Sequence, residues 1–127
     1  MEGSRLTWRQ KTGLRAEDAA AAYLQAQGAH ILLRNYRCRS GELDIVARLG
    51  GDELVIVEVR TRSNDAYGGA AASVDAAKRR RLIRAANRML QVRRDLARLR
   101  VRFDVMVVCE PCSDSPRITW IKHAFST

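Results

Sequence analysis

Acidic residues are scarce in this chain compared with basic ones. The 127 residues include 14 Asp and Glu against 23 Lys and Arg, and the formal net charge is +9 at pH 7. Such an excess of positive charge favours an acidic partner, and nucleic acid is the first candidate. Carboxylates that lie inside apolar segments of such a chain need a reason, because burying a charge is costly.

Long apolar runs and paired cysteine motifs are also missing. No stretch approaches the roughly 20 consecutive apolar residues that a membrane-spanning helix needs, and the first residues lack the apolar core of a signal peptide. The three cysteines are an odd number, which argues against a disulfide framework. Cys109 and Cys112 form a lone CxxC motif, and zinc would need two further ligands. We therefore expect a cytoplasmic protein without a membrane segment and without a zinc site.

The rest of the composition is that of an ordinary soluble domain, 46% hydrophobic and 29% charged. We expect one domain over residues 1–127, with residues 1–12 frayed. Apolar periodicity and turn residues predict the order helix, three strands, helix and one or two strands, which is typical of an α/β protein with a mixed central sheet flanked by helices. The predicted elements are a helix from about Leu14 to Gln27, strands at residues 30–35, 42–47 and 54–59, a helix capped by Ser73, a strand at 103–108, and a short edge strand at 118–120 followed by a helical turn that packs Phe125.

Two carboxylates, Asp44 and Glu58, lie inside the second and third predicted strands. Gly50 and Gly51 supply the turn between these strands, which predicts an antiparallel hairpin. Far from the turn the strands lie side by side, so Asp44 and Glu58 can meet if the register is suitable. Alternation along the third strand places Glu58 and Arg60 on one face, about 6.5 Å apart along the strand.

The expected proximity of Asp44 and Glu58 creates an electrostatic conflict. Two neighbouring ionised carboxylates repel each other, so either one takes up a proton or a cation lies between them. Mg²⁺ suits the second outcome, because it accepts one or two carboxylates and takes waters and substrate phosphate oxygens as its other ligands. The alternative is structural, with each acid paired with a nearby arginine. Alternation places Glu42, Asp44 and Val46 on one face of the second strand, and Glu17 on the inward stripe of the first helix raises the same choice between metal and arginine.

The hairpin also carries a family resemblance. Gly-Glu-Leu-Asp-Ile from Gly41, followed by Val-Ile-Val-Glu-Val-Arg-Thr-Arg from Val55, resembles the PD-(D/E)xK core of restriction-endonuclease-like nucleases. The chain is closer still to the YraN-type family of small bacterial proteins, which is similar in fold to archaeal Holliday-junction resolvases. The resemblance also covers residues 13–28, Asn35-Tyr36-Arg37, Tyr67-Gly68, the helix around Lys78, residues 102–105 and residues 120–125.

This resemblance implies an αβββαβ core and a Mg²⁺- or Mn²⁺-dependent endonuclease that acts on DNA, with branched DNA as a candidate substrate. By position, Asp44 and Glu58 match the metal-binding acids, and Glu17 matches the helix-borne acid of resolvase-like members. Arg60 stands where the superfamily usually has lysine. Arginine stabilises charge on a phosphate through its planar fork, but it cannot act as a base. Lys78 is a candidate substitute, although a solvated basic run explains it more simply.

Basic residues are concentrated in one part of the chain. Eleven of the 23 Lys and Arg residues lie between Lys78 and Arg102, where only Asp95 opposes them. This concentration is the electrostatic pattern of a protein that binds nucleic acid. The residues that we expect to contact phosphates are Arg37, Arg39, Arg62, Lys78, Arg79, Arg80 and Arg81.

Three functions agree with these patterns. The first is a DNA-binding protein with a Mg²⁺-dependent endonuclease site at Asp44, Glu58, Arg60 and Glu17. The second is a nucleic-acid-binding module of the same fold without catalysis, which Arg60 favours. The third is an adaptor that recognises an acidic protein. We expect DNA rather than RNA as the nucleic acid and no membrane partner. The oligomeric state is open, although a symmetric homodimer would suit a substrate of two strands.

Overall fold

A computed structural model describes residues 7–62, 73–111 and 113–127. The order of its elements confirms the predicted α/β class and the αβββαβ core of restriction-endonuclease-like folds. The main elements are α1 (Trp8–Ala26), β1 (His30–Cys38), β2 (Gly41–Leu49), β3 (Glu53–Arg62), α2 (Ala76–Val92), β4 (Arg100–Cys109) and β5 (Arg117–Phe125).

The strands form one five-stranded mixed sheet in the order β1-β2-β3-β4-β5. Neighbouring strands are antiparallel except β3 and β4, which are parallel. A parallel pair needs a crossover connection, and α2 lies within the segment that joins β3 to β4. The predicted hairpin of the second and third strands is confirmed, with Leu49 paired with Glu53 beside the turn.

The two helices contribute to separate apolar clusters that together enclose the sheet, as strands buried on both faces require. One cluster, on the α1 side, includes Ala16, Ala20, Leu24, Ile45, Val57 and Met106. The other, on the α2 side, includes Leu43, Leu54, Ile56, Leu82, Ala86, Met89, Phe103 and Val105.

Helix α1 begins earlier than the sequence pattern predicted. It starts at Trp8, so the predicted fraying of residues 8–12 is wrong. The reason is a capping box, in which the Thr7 side chain accepts from the Gln10 backbone N–H while Gln10 Oε1 accepts from the Thr7 backbone N–H. The predicted end of the helix is confirmed, because Gln27 is its C-cap and Gly28 follows with a φ of 95°.

Helix α2 is capped by Asp75 and not, as predicted, by Ser73. The Asp75 side chain accepts a 2.8 Å hydrogen bond from the Lys78 backbone N–H, and aspartate is among the preferred capping residues. The helix ends at Val92, and Leu99 packs against the core from the segment that follows the helix.

The last strand is longer than expected. Residues predicted as a short strand and a helical turn form one continuous strand, Arg117–Phe125. Its end is held in the sheet by Phe125, whose ring stacks on Phe103 with centroids 4.8 Å apart. The predicted helical turn is therefore wrong, because packing of this aromatic pair favours the extended strand.

Several expectations lie outside the described residues. They concern residues 1–6, the loop from Ser63 to Ala72 with Tyr67-Gly68-Gly69, and Cys112 of the CxxC motif. In the part of the chain that the structure describes, no helix is long and apolar enough to cross a membrane.

Candidate functional site

The candidate site lies where β2 and β3 separate. Their pairing ends at Ile45 and Val57, and Asp44 and Glu58 are the next residues across from each other. Beyond this point, within the described residues, β2 pairs only with β1, whereas β3 continues along β4. The opening between the strands is bridged by Asp44, whose Oδ2 accepts a 2.9 Å hydrogen bond from the Val59 backbone N–H. The register thus brings the two predicted carboxylates to one place.

Beside this opening, the side chains of strand β1 stop alternating regularly between the two faces of the sheet. Leu33 and Tyr36 both pack against the α2-side cluster although they are three positions apart, whereas regular alternation requires an even separation. Asn35 lies between them with a φ of 55°, a left-handed conformation that asparagine tolerates better than most residues. The left-handed residue therefore interrupts the pleat of β1.

The alternation of side chains along strand β2 is interrupted at the matching position. The pairs on either side of Asn35 join Arg34 to Ile45 and Tyr36 to Leu43, so Asn35 lies across from Asp44. Leu43 belongs to the α2-side cluster and Ile45 to the α1-side cluster. The predicted regular alternation of Glu42, Asp44 and Val46 on one face is therefore wrong, because the pleat is interrupted at Asp44.

Asp44 is partly buried, and its environment disfavours the ionised form. Burial is the main cause and the negative charge of Glu58 is the second, and together they raise the pKa of Asp44 from 3.8 to about 7. The hydrogen bond from the Val59 N–H opposes this shift, whereas the charges of Glu17 and Glu42 add to it. Near neutral pH this carboxylate is therefore poised to take up a proton or a cation.

Glu58 is the most buried acid of the site, with 7% of its side chain exposed. Its Oε2 lies 3.5 Å from Nε of Arg60 and 3.4 Å from Nζ of Lys78. The contact with Arg60 confirms that both residues share a face of β3. The contact with Lys78 corrects the simpler interpretation of that residue, because its ammonium is turned to the site and is not merely part of a solvated run.

Glu17 lies on the inner side of α1, with 16% of its side chain exposed. Burial raises its pKa, whereas a side-chain hydrogen bond with Asn35 and the charge of Arg34 lower it, and the charges of Glu42 and Asp18 raise it. Its Oε1 is buried and has no hydrogen-bond partner among the described residues, although Nη2 of Arg34 lies 3.9 Å away. Arg34 makes its closer contact with Asp18, at 2.8 Å.

These groups fit a hard divalent cation of the Mg²⁺ or Mn²⁺ type. The available donors are carboxylate oxygens, Asp44 and Glu58 repel each other, and Glu17 offers an unsatisfied buried oxygen. Within residues 7–62, 73–111 and 113–127, no group of three or more His, Cys, Asp or Glu side chains is arranged to hold a metal. Asp44 and Glu58 could thus provide two ligands, with waters and phosphate oxygens as the others.

The residues predicted to contact phosphates differ in exposure. Arg37, Arg39, Arg80 and Arg81 are exposed. Arg79 is partly engaged, because its Nε donates to the Val74 carbonyl at 2.8 Å and its guanidinium lies 5.6 Å from the Phe125 ring centroid. Arg62 follows Arg60 at the end of β3 and is half-buried.

The exposed and unpaired positive charge that follows Lys78 is smaller than the number of basic residues suggests. Arg102 is buried and forms a bidentate pair with Asp104. Arg93 pairs with Asp95, and Arg100 pairs with an acid in the turn between β2 and β3. The exposed charge is therefore concentrated on α2 itself. We define the basic stripe as Lys78, Arg81, Arg84 and Arg88, which follow one another at helical spacing.

Comparison with known proteins agrees with this fold. Residues 16–108, which contain Glu17, Asp44, Glu58 and Lys78, match the family described as "Uncharacterised protein family UPF0102". The chain belongs to this family. UPF0102, of the YraN type, is a member of the PD-(D/E)xK-like nuclease superfamily, so the resemblance stated above is confirmed.

Relatives in UPF0102 align over most of their length. The UPF0102 protein of Cupriavidus taiwanensis is 48% identical over 118 residues, which cover 92% of this chain and 84% of the relative. The protein of Alkalilimnicola ehrlichii is 46% identical over 116 residues, covering 91% and 87%. That of Pseudomonas aeruginosa is 47% identical over 114 residues, covering 89% and 90%.

Sequence reasoning missed one residue of the site and undervalued another. Asn35 was noted only as part of the family resemblance, yet it lies across from Asp44 and bonds Glu17. Its position between strand residues was the available signal, since asparagine is unfavourable inside strands without a special backbone conformation. Lys78 follows the α2 cap by three residues, and only the packing of α2 on the sheet reveals its contact with Glu58.

Proposed function

We propose that this protein binds DNA and hydrolyses phosphodiester bonds with Mg²⁺ or Mn²⁺ at the opening between β2 and β3. The observation that carries the proposal is the convergence of Asp44 and Glu58 beside two cations, Arg60 and Lys78. A purely structural ion pair would not require one acid to remain without a cationic partner, and no ion pair involves Asp44 among the described residues.

Each residue of the site has a role in this proposal. Asp44 and Glu58 would hold the metal, which when bound polarises a phosphoryl oxygen and activates a water. Arg60 and Lys78 would offset the negative charge that develops on the phosphate. Glu17 would orient the attacking water through its unsatisfied oxygen, because among the described residues it does not form a three-acid metal group with Asp44 and Glu58.

DNA would approach from the α2 side. The basic stripe, together with Arg37, Arg39, Arg62, Arg79 and Arg80, would contact phosphates, which supply the sequence-independent part of the affinity. Branched DNA remains a candidate by the likeness to resolvases. The proposal includes a cytoplasmic location, and a symmetric homodimer would present two such sites to a two-stranded substrate.

The test is cleavage of labelled four-way-junction, duplex and single-stranded DNA with and without Mg²⁺ or Mn²⁺. We expect metal-dependent products, and we expect Asp44→Asn to lower the rate by at least about 100-fold, because loss of a metal ligand costs more than loss of a group that orients one. Asp114→Asn is the control, since it makes the same chemical change at an exposed position. Cleavage that survives Asp44→Asn would exclude this site.

A binding module without catalysis is the second candidate. Arg60 favours it, because an arginine that contacts Glu58 at 3.5 Å already neutralises part of the charge that would attract a metal. This candidate predicts DNA affinity that falls with salt, no cleavage in any metal, and no change in affinity when the metal is removed. The same DNA panel, read by both binding and cleavage, therefore separates the two candidates.

A further inference from the structure

A second surface feature lies on the α2 side, beside the turn that joins β1 to β2. The turn that joins β1 to β2 rests on α2 at Arg81, because a Cβ atom built on Gly41 would lie 3.4 Å from the Arg81 carbonyl oxygen. Next to this contact is a cavity of about 590 Å³ between the turn and the last turns of α2. Its walls include Tyr36, Arg37, Arg39, Arg88 and Val92.

The charge of this cavity is positive and largely uncompensated. Arg37, Arg39 and Arg88 are all exposed. Arg37 has one acid nearby, with its Nε 3.6 Å from Oε2 of Glu42. Arg88 donates to the neutral side chain of Gln91 at 3.3 Å, and within the described part of the chain neither Arg39 nor Arg88 forms an ion pair. Three guanidinium groups around one concavity suit a phosphate, which accepts their planar donors.

The cavity is also lined by an aromatic and an apolar side chain, which do not bind phosphate. The Tyr36 side chain lines it while packing against the core beneath, so its ring is held in place. Val92, at the end of α2, is 58% exposed. A fixed aromatic ring and an apolar side chain beside arginines are the groups that stack on a nucleic-acid base. In a duplex the base faces are covered by their neighbours, so only an unpaired nucleotide presents such a face.

The cavity is connected to the candidate metal ligands along α2. The basic stripe joins the two, with Lys78 beside Glu58 and Arg88 on the cavity wall. Ten helical residues between Lys78 and Arg88 span about 15 Å.

We propose that this cavity binds an unpaired nucleotide of single-stranded DNA, with its phosphate on Arg39 and Arg88 and its base against Tyr36 and Val92. The proposal rests on the proposed function, because it assigns a single-stranded segment as the substrate that the metal site would cut. In that reaction the cavity would position the substrate, since a strand anchored there fixes which phosphate reaches Asp44 and Glu58.

The test is fluorescence anisotropy in metal-free buffer with two labelled probes, single-stranded DNA of about 12 nucleotides and a hairpin duplex of similar length. Tyr36→Leu should weaken single-strand binding at least about fivefold through lost stacking, whereas Tyr36→Phe keeps the ring and should retain affinity. Arg39→Ala and Arg88→Ala should each reduce the slope of log affinity against log salt by about 0.7 for the single strand. Arg15→Ala is the matched control, because it removes an exposed arginine from α1, on the other side of the sheet.

The outcomes separate this inference from the proposed function. Duplex affinity reduced as strongly as single-strand affinity by Tyr36→Leu would overturn the cavity as a site for an unpaired base. An Arg15→Ala effect equal to that of Arg88→Ala would overturn it as well, since charge alone would then explain binding. Wild-type protein that binds duplex but not single strands overturns the inference alone, whereas binding to neither probe and to no four-way junction overturns the proposed function as well. Thermal unfolding of Tyr36→Leu at the wild-type temperature excludes misfolding of that variant, and weakened binding by Tyr36→Phe as well would overturn the role of the ring.

Discussion

Replacing Asp44 with asparagine should stabilise the folded protein at neutral and alkaline pH. Burial, followed by the charge of Glu58, raises the pKa of Asp44 from 3.8 to about 7. Between these two values the unfolded chain is ionised at this position while the folded chain holds a proton, so stability falls as pH rises from about 4 to about 7 and the full cost remains above that range. Asparagine removes the charge and keeps an oxygen that can accept from the Val59 N–H.

The magnitude follows from the size of the pKa shift. About three units at about 1.4 kcal/mol each correspond to an upper value of about 4 kcal/mol, and partial exposure of Asp44 reduces it to about 1–3 kcal/mol. Less than half of this gain should remain at about pH 5, because most of the interval between the two pKa values lies above that pH.

Urea denaturation in the presence of a chelator measures the effect at about pH 5 and about pH 8. Asp114→Asn is the control, because Asp114 is exposed and should give no pH-dependent gain. The reasoning is refuted if Asp44→Asn gives no gain at the higher pH, or an equal gain at both values.

Three further tests address the geometry. Glu58→Gln removes the neighbouring charge and should lower the pKa of Asp44, as followed by NMR titration of its carboxyl carbon; an unchanged titration would contradict the proximity of the two acids. Asp104→Ala leaves buried Arg102 without its bidentate partner. It also removes the acceptor of the Trp120 indole N–H and of the His123 backbone N–H. The free energy of unfolding in urea should therefore fall by about 3–5 kcal/mol. Arg117→Ala, which breaks an exposed pair, should cost below about 1 kcal/mol, and equal losses would argue against the buried network. Asn35→Ala should be less stable than Asn35→Gly by about 1 kcal/mol, because alanine is strained at a φ of 55°, and no difference would exclude the left-handed conformation.

Much of the fold could be predicted because its signals are local. The β2–β3 hairpin follows from apolar runs around Gly50 and Gly51, and the end of α1 follows from Gly28. The start of α1 could also have been found, since Thr7 and Gln10 have capping-box spacing. The extension of β5 through Phe125 could not, because it depends on stacking against Phe103, which is distant in sequence.

The sequence by itself determined the element order and the family, and it predicted that Asp44 and Glu58 lie close together if the hairpin register is suitable, since the turn and the spacing of the two residues place them on neighbouring strands. Only the tertiary structure decided what surrounds that pair. Lys78 reaches Glu58 because α2 packs across the sheet, and Glu17 approaches from the other helix. The break in alternation at Asn35 and Asp44 likewise depends on pairing between β1 and β2. Contacts between elements depend on packing directions that residue order alone does not contain, and these contacts create the electrostatics of the site.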